Sequence, residues 1–157
     1  MMKLAGIVLI VLCCLFTGGE IASGWKRRLR TSEALRRLVV QLEEDFAEFA
    51  SPPEESYRRV REKLFDECGF TGMLLSGGWE AALDTLPDLE PESREILLAF
   101  AAALGRGNRE QECARCRHTV ALLDERIAAM QRALPVQLKL CRSLALMAGA
   151  AAAIIMI

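Results

Sequence analysis

Hydrophobic positions recur at steps of three and four along most of this chain, and no useful length of it alternates with period two. Leu35, Leu38, Val39, Leu42, Phe46 and Phe49 share one face of a helix predicted over 31–49, with arginines and glutamates elsewhere. Ser51-Pro52-Pro53-Glu54 has capping-box spacing with proline suited to the first turn. The helix it opens carries Tyr57, Val60, Leu64, Phe65 and Cys68 on one face. Gly69, Gly72, Gly77 and Gly78 then break up the apolar piece 70–75, which reads as a connector with at most a turn of helix. Trp79, Ala82, Leu83 and Leu86 make a short helix that Pro87 stops. Pro91 opens the next, with Ile96, Leu97, Phe100 and Leu104 inward, Gly105 as C-cap, and alanines at 99 and 101–103 that permit close helix approach.

The last segment is the longest. Its turn reads LGRGNREQ, and Asn108 followed by Gln111 is again the capping-box spacing. Cys113, Cys116, Val120, Leu123, Ile127, Met130 and Leu134 then form one continuous seam. The seam runs through Pro135 into Leu138, Cys141 and the uncharged ending LALMAGAAAAIIMI. The pattern predicts an all-α fold, a bundle of about five or six helices. It lies between an N-terminal transmembrane anchor (1–25) and a C-terminal apolar helix (138–157) that continues the last helix of the bundle (26–137).

Charge divides the chain the same way. Of 20 basic and 21 acidic residues, all but Lys3 and Glu20 lie within 23–142. That balanced middle has no global field to draw in nucleic acid or an acidic substrate. Leu4 to Gly19 are uncharged and cover roughly 24 Å as helix; adding residues up to Trp25 brings the run close to the ~30 Å hydrocarbon core. A secretory signal peptide is the rival reading, since Ala22-Ser23-Gly24 loosely resembles a cleavage site. A lipoprotein signal fits less well, because Leu12 precedes Cys13 where a small residue is wanted. Lys26, Arg27, Arg28 and Arg30 follow the apolar run and oppose translocation, which favours the uncleaved anchor with a cytoplasmic middle domain. At the other end, Leu144 to Ile157 cover roughly 21 Å, short for a span. Counting from Leu138 lengthens the segment but includes Lys139 and Arg142, which would snorkel. A buried core helix is the competing reading there. Trp25, the four cations after it, Lys139 and Arg142 are the expected membrane flank.

Candidate chemistry is sparse. Residues 113–118, CARCRH, place Cys113 and Cys116 at zinc-like spacing with His118 near. Both cysteines also fall on the apolar seam, where small side chains suit packing; a membrane-anchored zinc or thiol-redox protein is the alternative. Six cysteines scattered over apolar faces suit a reducing compartment rather than a disulfide framework. His118 is the sole histidine and sits between positions of the seam, so any Ser-His-Asp or Cys-His mechanism would have to pass through it. No catalytic set and no cofactor motif is present in the sequence: the glycines lack a following Lys-Ser/Thr pair.

The stretches PESREILLAFAAALGRGNREQE (91–112) and RSLALMAG (142–149) resemble the stage III sporulation protein AB family of endospore-forming bacteria. The first resembles its acidic, Leu-rich helix and Gly-Arg turn, the second the Arg-Ser-Leu opening of its final apolar helix. The resemblance covers nearly the whole chain. It implies an anchored helical domain similar to the cytoplasmic domains of the type II secretion inner-membrane platform protein. It also implies a place in the assembly joining mother cell and forespore, in the mother-cell membrane facing the forespore. The implied partners are other channel components and a cytoplasmic secretion-type ATPase, stage III sporulation protein AA, with no small-molecule substrate. Arg106, Asn108 and Arg109 in the turn are the candidate partner-binding residues.

Overall fold

The computed structural model describes the backbone of residues 2–49 and 53–156, and the side chains of 23–48 and 53–136 with Lys139, Leu140, Ser143 and Met147. Among the described residues there are six helices and no strand: α1 (Met2–Phe49), α2 (Pro53–Arg59), α3 (Lys63–Cys68), α4 (Phe70–Asp84), α5 (Pro91–Ala103) and α6 (Arg109–Met156). They divide into two compact units, one of residues 27–129 and one of residues 1–26 with 130–157, and both long helices contribute to each.

In the first unit the expected faces are the buried ones. Leu35, Leu38, Val39, Leu42 and Phe46 of α1 meet Cys113, Cys116 and Leu123 of α6 in one core, to which the short helices add Phe65, Phe70, Leu83 and Leu97. Arg36 of α1 forms a two-pronged pair with Asp124 of α6, and Arg117 of α6 reaches Glu43 of α1 at 2.6 Å. Rising numbers on one helix meet falling numbers on the other, so within this unit α1 and α6 run antiparallel. Such exposed pairs contribute little each, because water and salt screen them. They mark the register more than they hold it.

An aromatic cluster lies at the centre of the short helices. Trp79 meets Tyr57 of α2 edge-on at 6.0 Å, Phe70 at 6.4 Å and Phe100 of α5 at 5.7 Å, while Phe70 stacks on Phe65 of α3 at 4.4 Å. The indole N–H donates to the Tyr57 hydroxyl at 3.0 Å, which removes the cost of burying both polar tips.

Three elements differ from the sequence expectation. The helix predicted to run from 51 to 68 is two short helices, with Glu62 in extended conformation between them. Gly69 ends α3 in the left-handed region (φ 69°), and its N–H bonds the Phe65 carbonyl, an ending that glycine adopts without strain. The proposed cap at Ser51 and Pro52 lies outside the described residues. Residues 70–77, read as a connector, are helical because Phe70 and Leu74, one turn apart, both bury against the core. Gly78 then breaks the helix (φ 78°, ψ −173°), and Trp79 starts the following turns buried. Pro91 does open α5, but the C-cap is Leu104 rather than Gly105, which follows at φ 77°.

In the second unit, Met130 is buried and Leu134 half-buried, while Val136, Leu140 and Met147 are 57%, 51% and 71% exposed. Pro135 has no N–H for the preceding turn, yet α6 continues past it to Met156. Among the described residues no helix is long and apolar enough to cross a membrane. Most side chains of the expected bilayer segments, 1–25 and 138–157, lie outside the described ones.

The hub generates a paired prediction. Trp79→Ala should cost about 3–5 kcal/mol, a large part of a typical stability. Gly78→Ala should cost about 1–3 kcal/mol through backbone strain alone, since a Cβ there meets nothing within 4 Å. Urea unfolding of both variants checks this; a Gly78→Ala midpoint equal to wild type would show that the break is dispensable.

Candidate docking site

The geometry around the α5–α6 junction begins with its caps. Asn108 Oδ1 accepts from the Gln111 N–H at 2.9 Å, and Gln111 Oε1 accepts from the Asn108 N–H at 3.1 Å, the reciprocal capping box its spacing predicts. Glu112, buried in the first turn of α6, accepts from the Gly107 N–H at 2.8 Å and from Arg115 Nη1 at 2.6 Å. A carboxylate there also complements the helix dipole. Arg115 Nη1 donates in addition to the Ala103 carbonyl at 2.8 Å, satisfying an orphan acceptor at the end of α5. One network therefore caps two helices. Arg106, Asn108 and Arg109 stand exposed on the turn it braces, with the Asn108 side chain committed to the cap.

Farther along, Arg126 of α6 pairs with Glu90 at 3.0 Å and with Glu92, at the start of α5. With Arg115 at Ala103 and Arg126 at Glu90, the two helices are antiparallel. Between these clamps lies an open groove of about 420 Å³ lined by Ile96, Ala99, Phe100, Ala103, Thr119 and Leu122, with Glu95, Arg115 and His118 at its edges. The alanines expected to draw helices together instead leave this space: Ala99 is exposed and Ala103 half-buried, because no described element covers that face of α5. The groove was not legible in the sequence, since it depends on which faces of two helices stay uncovered.

The cysteine pair is buried in the core. Cys113 and Cys116 are buried free thiols, whereas His118 is exposed on another face of α6 and lies along the groove. Residues two apart on a helix do not face each other. Among the described residues no group of three or more His, Cys, Asp and Glu side chains could hold a metal ion. The zinc alternative built on Cys113, Cys116 and His118 thus lacks a converging ligand set. Burial, with smaller contributions from Cys113, Glu43 and Glu112, pushes the Cys116 thiol up to about 12. That keeps it protonated and poorly nucleophilic. Among the expected membrane-flank cations, Lys26, Arg28, Arg30 and Lys139 are exposed, as is Arg27, which pairs with Asp88 at 3.2 Å; Trp25 is half-buried. Cys141 and Arg142 have side chains outside the described ones.

Two readouts follow for Cys116. With its folded pKa raised, the stability it contributes is fully present below the unfolded thiol value near 9 and lost as pH rises toward 12. Cys116→Ala should therefore flatten the alkaline fall in the urea midpoint. At pH 8 a thiol reagent should modify half-exposed Cys68 well before Cys116. Rapid labelling of Cys116 in the folded protein would contradict its burial.

Neither a curated protein nor a solved structure matches the chain. The profile of stage III sporulation protein AB matches residues 3–157, nearly the full length. That family has a sporulation role and is not a known enzyme family. Because this match covers nearly the whole chain, the conclusion is plain: the chain belongs to the stage III sporulation protein AB family.

Proposed function

We propose that the protein is a non-enzymatic platform component of the sporulation channel, seated in the mother-cell membrane facing the forespore, whose helical domain docks a secretion-type ATPase. The observation that carries this reading is the braced α5–α6 turn. Its backbone is held by the Asn108–Gln111 box and the Glu112–Arg115 network, while the side chains of Arg106 and Arg109 remain exposed. Guanidinium groups offered from a preorganised turn suit carboxylates on a partner, because little ordering is left to do on binding. Membrane seating is supported by the uncharged runs at the two ends of the sequence and by exposed Val136, Leu140 and Met147, spaced so that they follow one side of α6. Cations after the first run and before the second favour a cytoplasmic bundle with both termini outside. The docked ATPase would be stage III sporulation protein AA, with other channel components as neighbours in the membrane.

Reversing both charges, Arg106→Glu with Arg109→Glu, should lower capture of the ATPase by roughly tenfold or more and leave the bundle's unfolding midpoint unchanged. Capture at the wild-type level would remove the turn from the interface. Topology is tested separately in intact cells, with single cysteines placed at positions 2, 80 and 157 of a cysteine-free chain. Positions 2 and 157 should react with an impermeant maleimide and position 80 should not. Labelling at 80 would end the reading of a cytoplasmic bundle that docks an ATPase.

A further inference from the structure

Around Pro135, α6 has two contrasting faces. Buried Met130 and half-buried Leu134 lie on one side of the helix. Val136, Leu140, Ser143 and Met147 lie on the opposite side and are all exposed, the three large apolar ones by 57%, 51% and 71%. The steps between these residues are four, three and four, the alternation of a and d positions in a heptad. The sequence keeps that alternation through Ala150 and Ile154. Val136 and Leu140 precede the uncharged run 144–157 by about 12 Å and about 6 Å of helix, and Leu140 stands between Lys139 and Arg142. Cations at that level hold it at the aqueous boundary, so acyl chains do not cover the start of the stripe. The Ser143 hydroxyl donates to the Leu140 carbonyl at 3.0 Å and is thereby satisfied within its own helix. A small side chain so satisfied lets two backbones approach closely.

We propose that this stripe pairs with the same stripe of a second copy of the chain, as a parallel two-stranded coiled coil that begins at Val136 outside the hydrocarbon and continues into it. A helix that covers the whole stripe has to pass from water to lipid at the same height as α6. A second α6 seated in the same membrane does so residue for residue. Heptad spacing is self-complementary, since the a and d side chains of one helix fill the holes between those of an identical neighbour. Charge fixes the direction. With Val136 and Ser143 at d, Arg132 and Lys139 occupy g, and a parallel pair sets them beside the e positions of Gln137 and Leu144. An antiparallel pair would set g against g and bring these cations together. The inference rests on the membrane seating proposed above, but not on the docking of an ATPase.

Its test uses the full chain in membranes, cysteine-free apart from one introduced cysteine. Oxidation by copper phenanthroline and dioxygen should join two copies through Leu140→Cys, Ser143→Cys and Met147→Cys alike. Leu138→Cys and Ala145→Cys, at the f positions away from the seam, should give no dimer. A parallel pair brings each of the three seam positions onto itself, whereas an antiparallel pair could do so at one of them only. In neutrally buoyant micelles the wild-type chain should sediment as a dimer. Val136→Lys and Leu140→Lys, both at exposed positions outside the hydrocarbon, should each lose the dimer; circular dichroism confirms that each variant is folded. Equal cross-linking at 138 and 143, or a dimer undiminished by both lysine variants, would overturn the proposal. So would a wild-type chain that stays monomeric, which would assign the stripe to lipid or to another protein. Carbonate extraction reads the seating separately. Release of the chain would overturn the seating and this proposal with it, while a retained but monomeric chain would overturn the pairing alone.

Discussion

The arrangement of the short helices depends on one buried side chain, Trp79. Its ring faces aromatic partners from α2, α4 and α5, and its N–H is matched by the Tyr57 hydroxyl. Helices of six and seven residues, like α3 and α2, cannot hold themselves in water, since nucleation of so short a helix is unfavourable. They persist because Phe65 and Tyr57 are buried in a core shared with α1 and α6. Gly78 makes this possible by giving up helical geometry one residue before the tryptophan. Burial of Phe70 and Leu74 on one side of that break and of Trp79, Ala82 and Leu83 on the other is thus a single solution to a single constraint.

Around that centre, polar groups decide orientation more than stability. The Arg36–Asp124 and Arg117–Glu43 pairs are consistent with one antiparallel register for α1 and α6. The Arg126 pairs clamp the start of α5 to α6, while Arg115 and the capping box clamp its end. Thr31 Oγ1 donates to the Pro87 carbonyl at 3.3 Å and ties the α4–α5 loop to α1. Each contact is small in free energy, and at the α5–α6 turn they satisfy the Gly107, Asn108 and Gln111 N–H groups while Arg106 and Arg109 stand exposed. Such a turn can present charge without first having to be ordered.

The two units differ in kind. Residues 27–129 carry the shared core and the ionic frame. Residues 1–26 and 130–157 carry the two longest uncharged runs, and three of the large apolar side chains described there are exposed. Exposed aliphatic side chains of that size are costly in water, and they suit a lipid or protein surround better.

Local sequence determined much of this protein by itself. The seams on α1 and α6, the start of α5 at Pro91 and the box at Asn108 and Gln111 could be placed from spacing. Each depends on neighbours within one helical turn, and periodicity reports those directly. The family was legible through a different signal, the resemblance of residues 91–112 and 142–149 to its members, and the family match over residues 3–157 bears it out. Only the tertiary structure decided that 70–77 is helix, that Cys113 and Cys116 share a packed face while His118 does not, and that Ala99 and Ala103 line an open groove. Those outcomes rest on contacts between helices far apart in sequence, where glycine, cysteine and alanine have weak local preferences and the neighbours that cover them, or fail to, settle their role.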